Sequence, residues 1–416
     1  MKTEKELKMV VASGKTRPFF KDFDYFCDLE NHFIDVVGPN QIYQRELTDL
    51  SKLFWSEGGR RDVNLLLRSM LITRRAEEKV FLLWKAGEIP GSIFSGLGNE
   101  ATSCGVMAAM KYGDPAFPLH RDLGCDFTRG VEAFERGDIP APLANLYFAQ
   151  HMSKASSQCK GKDGNIHWGI PKMNRYPMIS HLGTNIPNAC GAALIEKFRN
   201  SGLVAFTFIG DGATSTPDFQ ALNQAASRKL PVIVIIDNNQ WAYRTKLDEQ
   251  TAAIPLSRKA EAFGIRGFTI DGTDALCVYA LTKMAREIAL SGTPVLIESV
   301  TFRMAGHSAY DPYEKYVPKE DLERWHRRDP IARLTNFLYG KPNLAEEKTE
   351  KFDQELNEIR RQLEKELGIE KELDEAIEWA RNAPDPQTNT LCDDVYADEA
   401  AQKFVASLPD ERRRTK

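Results

Sequence analysis

The chain contains no Cys-x-x-Cys pair, and its seven cysteines are an odd, scattered set. That argues against a disulfide framework or a cysteine-built zinc site and favours reduced thiols. No apolar run approaches the roughly 18 residues that a membrane-spanning helix requires. Neither sign of charge dominates: 55 Lys and Arg stand against 59 Asp and Glu, a formal net charge of −4. The chain therefore carries no electrostatic footprint for nucleic acid or an anionic membrane. Internal repeats and low-complexity tracts are missing too. Near the amino terminus, Lys2, Lys5, Lys8, Lys15 and Arg17 are mixed with Glu4, Glu6, Asp22 and Asp24. This segment lacks the acid-poor, Arg- and Ser-rich character of a transit peptide and the apolar core of a signal peptide. The expectation is a cytoplasmic protein.

What is present is ample core. The 416 residues, 42% hydrophobic and 27% charged, suffice for two or three ordinary domains or one large α/β domain with extensions. Two apolar runs stand out, Leu203–Ile209 and Val232–Ile236. Continuous runs of this length read as strands buried on both faces, as in parallel sheets. Between them Phe219, Leu222, Ala225 and Ala226 fall at helical spacing, and Pro231 marks the return. A strand-helix-strand unit brings the residues after each strand to the same carboxyl edge, where open α/β sheets bind ligands.

The words at those two strand ends are Gly210-Asp211-Gly212-Ala213 and Asn238-Asn239-Gln240-Trp241. Alone, Gly-Asp-Gly is an ordinary turn. Set after a buried strand and matched by Asn-Asn one unit later, it supplies a carboxylate and an amide oxygen at one edge. Such hard donors, with a main-chain carbonyl just past Asn239, suit Mg²⁺ completed by phosphate and water. A later run, Pro294–Val300, is the last clear core strand and leads into Arg303-Met304-Ala305-Gly306-His307-Ser308. An Arg and a His on a loop at that edge are reasonable anion partners.

Together these words resemble the thiamine-diphosphate signature of the decarboxylating subunits of 2-oxo acid dehydrogenase complexes. The similarity is to the alpha subunit shared by pyruvate, branched-chain and acetoin dehydrogenases. Gly98-Asn99-Glu100-Ala101 resembles its Gly-Gln-Glu-Ala word, His120-Arg121 its Tyr-Arg segment, and Lys160–His167 its Lys-Gly-x-Gly-Gly-Ser-Met-His run. The tail Asp393-Asp394-Val395-Tyr396 is similar to its acidic Asp-Val-Tyr ending. Asp211 and Asn239 lie 28 residues apart, one fewer than is customary in that family.

The resemblance implies a thiamine-diphosphate-binding α/β fold, with a mostly parallel central sheet between helices. It assigns residues 1–60 to an amino-terminal extension, 61–330 to the diphosphate-binding domain and 331–416 to a helical extension and tail. It implies that Asp211, Asn239 and the Trp241 carbonyl hold Mg²⁺, with Gly210, Gly212 and Ala213 shaping the loop. Arg121, Arg303 and His307 would contact the diphosphate. Main-chain groups of Ser180 and Leu182 would meet the aminopyrimidine, Leu182 supporting the bent cofactor. His307 would serve proton or hydrogen-bond donation in acyl transfer. Ser308 occupies the position that mitochondrial relatives phosphorylate, where added charge would oppose the cofactor's own phosphates.

The implied reaction is oxidative decarboxylation of a 2-oxo acid, with the acyl group passed to the lipoyl group of an acyltransferase partner. The implied beta subunit supplies the activating Glu, in an assembly of two alpha and two beta chains. Words in this chain lean both towards branched-chain and towards pyruvate or acetoin enzymes. Two alternatives stand beside this one: a self-sufficient thiamine-diphosphate lyase, and a non-catalytic alpha-like scaffold. The first would need its own pyrimidine-binding domain. The second would be favoured by loss of Asp211, Asn239 or His307, all of which are present.

Overall fold

A run that is apolar at every position can be stable only where both of its faces are covered, and that dictates the architecture. The structure, a computed structural model, describes residues 57–339, 350–390 and 393. The chain opens with helices α1 (Glu57–Lys85) and α2 (Glu100–Ala109), then strand β1 (Ala116–Phe117) and helices α3 (Leu123–Glu135), α4 (Leu143–His151) and α5 (Asn185–Arg199). Next come β2 (Ala205–Gly210), α6 (Ala221–Ser227), β3 (Val232–Asn238), a hairpin of β4 (Trp241–Ala242) and β5 (Thr245–Lys246), and α7 (Leu247–Gln250). Then follow β6 (Arg266–Asp271), α8 (Ala275–Leu290), β7 (Val295–Val300), α9 (Lys319–His326), α10 (Pro330–Tyr339), α11 (Glu350–Glu366) and α12 (Ile369–Asn382).

The sheet order is β1-β2-β3-β7-β6, and every pairing in it is parallel. This bears out the expected α/β fold. Alternation along each strand explains the unbroken apolar text. Val232, Val234 and Ile236 of β3 pack on one side with Ala189 and Ala193 of α5 and Leu222 and Ala225 of α6. Ile233 and Ile235 pack on the other with Val106 of α2 and Val278, Leu281 and Ala285 of α8. The linking helix α6 is shorter than the apolar spacing suggests. Two 3₁₀ turns, Asp211–Ser215 and Pro217–Gln220, precede it, and Phe219 is buried in the second. Pro217, with no N–H to donate, starts the second turn and keeps the chain out of a continuous helix.

The charged carboxyl-terminal stretch reads from sequence as a solvated helix pair, but α12 is built into the core. Leu373, Ala376, Ile377 and Ala380 recur at helical spacing, and all are buried with α1 and α4. Its charged flank pairs back to α1: Arg68 with Glu372, Arg75 with Glu370, and Lys79 with Asp374 at 2.6 Å. In α11 Leu363 is buried, and Leu367, just past its end, is exposed. The lead-in through residue 56 and all but Asp393 of the quoted acidic tail lie outside the described residues. Among the described residues, no helix is long and apolar enough to cross a membrane.

Candidate functional site

Parallel pairing sends the carboxyl ends of β1, β2, β3 and β7 to one edge of the sheet. The loops leaving that edge carry Arg121, Asp211, Asn239, Arg303 and His307 respectively. Register fixes their relative depth: Gly210 lies beside Asp237, and Asn238 beside Val300. Backbone bonds then lace the loops together, Thr301 N donating to Asn238 O at 2.9 Å and Arg303 N to Asn239 O at 3.4 Å. Gly212 locks the loop after β2 against the hairpin, because a Cβ there would sit 2.8 Å from Ala242 Cβ.

Asp211 is buried, and one carboxylate oxygen accepts a 2.8 Å bond from Gln250 Nε2. Burial raises its pKa from 3.8 to about 6, against the lowering effects of the Gln250 bond and the nearby Arg303 charge. The carboxylate thus lacks a full counter-charge. Gln250 Oε1, on the same side chain, is buried with no donor among the described residues. Asn239 Oδ1 accepts only the weak local bond from Trp241 N at 3.2 Å, and the Trp241 carbonyl accepts from Arg303 Nη1 at 3.3 Å. This cluster of carboxylate, amide and carbonyl oxygens fits Mg²⁺, which takes such donors. Among the described residues no three His, Cys, Asp or Glu side chains gather to hold a metal, so a softer transition-metal site has no basis there.

The anion-binding potential comes from two guanidiniums with neutral partners. Arg121 donates to the carbonyls of Ser95 and His307. Arg303 donates to the carbonyls of Ala305, Trp241 and Tyr243 and to Tyr316 Oη. Desolvation, helped by repulsion from Arg303, lowers the Arg121 pKa to about 10. Two buried cations left without a carboxylate partner make a field suited to a multiply charged anion. His307 lies against the rings of Phe94 and Tyr243, at centroid distances of 5.6 and 4.7 Å. Burial first, then Arg121 and Arg303, depress its pKa to about 4, so it is a neutral imidazole at physiological pH. The main-chain N–H of His307 donates to Asp311 Oδ2 at 2.8 Å, and Asp311 also binds Arg244 and Tyr316. Ser308 follows on this same loop, half-buried.

Ser180 and Leu182 approach from another direction. Gly183 adopts φ +90°, and a Cβ there would lie 2.3 Å from Thr216 Oγ1, so only glycine lets this segment touch the loop after β2. Leu182 is 59% exposed, a large apolar side chain left uncovered beside the site. Ser180 Oγ lies 3.4 Å from His167 Nε2, whose other nitrogen meets Asp163 at 2.7 Å.

Several residues in the site escape sequence reasoning. Asp122 and Asp237 adjoin near Arg121; burial pushes both pKa values up, and the Asp122 charge raises that of Asp237 further. Glu77 of α1 accepts from Gly96 N at 2.8 Å and Ser95 Oγ at 2.9 Å, holding the loop whose Ser95 carbonyl binds Arg121. Gln250, Asp311 and Tyr316 also have only tertiary reasons for their places. The Asp-Pro word at 311–312, a turn signal, was the one local hint. Glu100, within the word that resembles Gly-Gln-Glu-Ala, begins α2 and is paired with Arg74.

Comparison with known proteins follows the same line. A family model described as "Dehydrogenase E1 component" matches residues 68–387. The "Pyruvate dehydrogenase E1 component subunit alpha" of Rickettsia typhi is 31% identical over 332 residues, 79% of this chain and 94% of the relative. The "2-oxoisovalerate dehydrogenase subunit alpha" of Bacillus subtilis is 30% identical over 335 residues, 80% of this chain and 94% of the relative. An Arabidopsis thaliana protein, "2-oxoisovalerate dehydrogenase subunit alpha 2, mitochondrial", is 32% identical over 303 residues, 72% of this chain and 59% of the relative. With both the model and these relatives spanning well over half its length, the chain belongs to the dehydrogenase E1 component family.

Proposed function

We propose that this chain is the alpha subunit of a thiamine-diphosphate-dependent 2-oxo acid dehydrogenase. Asp211, Asn239 and the Trp241 carbonyl hold Mg²⁺, and Arg121, Arg303 and His307 face the diphosphate. Bound thiamine diphosphate supplies carbanion stabilisation, the difficult part of removing CO₂ from a 2-oxo acid. The chain's own residues bind, orient and tune. Asp211 and Asn239 fix the metal at the end of β2 and β3. Gly212 and Gly183 let the loop after β2 pack against the hairpin and against the segment carrying Ser180 and Leu182. His307, neutral and ringed by Phe94 and Tyr243, offers a nitrogen for hydrogen bonding to the departing acyl group as it passes to a lipoyl acceptor.

One observation carries this reading: a cluster of carboxylate, amide and carbonyl oxygens and two neutrally partnered guanidiniums share a single sheet edge. A diphosphate with its metal satisfies both at once. The uncovered Leu182 and exposed Ser180 support an incomplete site, finished by a beta subunit that brings the activating carboxylate. The test is thermal shift and 2-oxo acid decarboxylation, with thiamine diphosphate and Mg²⁺, for this chain alone and reconstituted with its beta partner. Weak cofactor binding and no turnover alone, with turnover restored in the pair, is the expected outcome. Full activity of the lone chain refutes the divided site and favours a self-sufficient lyase.

A further inference from the structure

Beneath the loop that carries His307 lies a cavity of about 670 Å³. Val80 and Phe81 of α1, Phe94, Ile166, Met304 and Ala309 supply its apolar lining. It adjoins the site directly, since His120 precedes Arg121, and Gly306 and Ser308 flank His307, and all three line it. Two nitrogens in its lining residues, His120 Nε2 and His151 Nδ1, are buried without a hydrogen-bond partner among the described residues. Of the charged lining groups, Glu78 and Asp311 are paired with Arg360 and Arg244, buried Glu77 accepts from Gly96 N and Ser95 Oγ with its pKa pushed up to about 8 by burial, and Lys85 and Glu314 are exposed and mark the rim. Its interior is therefore large, mostly apolar and close to uncharged, with two idle polar points.

We infer that this cavity receives the side chain of the 2-oxo acid, and that the preferred substrate carries a bulky apolar side chain, branched or aromatic, rather than a methyl group. The inference rests on the decarboxylase function proposed above. Pockets for whole organic ligands span about 300–1,000 Å³, so a methyl group would leave nearly all of this one unfilled. The cleft opens to solvent past Leu82 and Tyr310, so a large apolar side chain seated there removes its apolar lining from water, which a methyl group would do only in small part. Each added methylene that fills an apolar pocket is worth about 10–200-fold in kcat/KM. Burial depresses both histidines' pKa values, His151 to about 4, so each is neutral at physiological pH. Neutral imidazoles suit a carbonyl, hydroxyl or ring N–H at the root or tip of such a side chain.

The experiment uses the full chain reconstituted with its beta partner, thiamine diphosphate and Mg²⁺. Decarboxylation of pyruvate, 2-oxobutanoate, 4-methyl-2-oxopentanoate and phenylpyruvate is followed with a one-electron dye as acceptor. The expected result is kcat/KM at least about tenfold higher for one of the two large acids than for pyruvate. Ile166→Phe and Ala309→Leu narrow the cavity. They should lower kcat/KM for the large acids more than for pyruvate and so reverse that preference, with Ala309→Leu, at a partly exposed position, as the variant less exposed to a folding defect. Preference for pyruvate, or variants that slow every acid equally, overturns the inference while leaving the decarboxylase function intact. A change confined to the KM for a lipoyl acceptor overturns it as well, by giving the cavity to the second substrate. Turnover of no acid at all overturns the decarboxylase function and the inference with it.

Discussion

Asp211 is the residue on which the proposed metal site turns. Its carboxylate is buried, its pKa is raised to about 6 by desolvation, and its one direct side-chain partner is the amide of Gln250. Asp211→Asn keeps shape and removes charge. It should weaken Mg²⁺-dependent cofactor binding to the reconstituted pair by about 100-fold, or roughly 3 kcal/mol. Titration calorimetry reads this directly, and unchanged affinity would remove Asp211 from the metal site. Glu77 tests the loop behind Arg121. Folded Glu77 holds its proton up to about 8, because of burial and the neighbouring Glu100, whereas the unfolded residue releases it near 4.5. Its stabilising contribution is thus complete below 4.5 and fades as pH climbs through about 8. The melting-temperature difference between Glu77→Gln and wild type should move in favour of the variant over that interval. A gap that stays constant with pH contradicts the assignment.

At the scale of elements, legibility followed how many neighbours a segment needs. The runs that became β2, β3 and β7 were readable because both faces are buried, leaving no polar alternation to confuse them. Strand β1 has two residues, and β6 begins with an exposed Arg266 and ends in Asp271, so neither carries a local signature. The words at strand ends were readable for the same reason as the strands. Glu77, Gln250 and Tyr316 were not, since a buried Glu within Arg-Arg-Ala-Glu-Glu-Lys spells the same text as a solvated one. The segment leading to Ser180 depends on another such hidden contact. Arg175 is fully buried and bonds Asp126 through Nε at 3.0 Å and Nη2 at 3.1 Å. Cutting this pair with Asp126→Ala leaves an uncompensated guanidinium and should cost about 3–5 kcal/mol in urea unfolding. A loss below about 1 kcal/mol would place the pair among exposed ones.

For the whole molecule, the carboxyl-terminal helices are structural members despite their charge. Leu373, Ala376, Ile377 and Ala380 close the cluster built on α1 and α4, and α1 in turn presents Glu77 and Arg74 to the site. Deleting residues from 344 onward should therefore give a chain that exposes this cluster, aggregates and binds no cofactor, as read by light scattering and thermal shift. A soluble, cofactor-binding truncation would show α12 to be dispensable.

The order of the sheet has a consequence for synthesis. Strand β7 emerges last from the ribosome, yet it slots between β3 and β6. Until roughly three-quarters of the polypeptide has been made, β3 has an open flank and β6 has no neighbour. Such gaps in a parallel sheet are slow to close and prone to mispairing. If the loop that β7 launches holds the vitamin as proposed, its capture becomes a checkpoint that the nascent polypeptide passes only after β7 has joined the sheet.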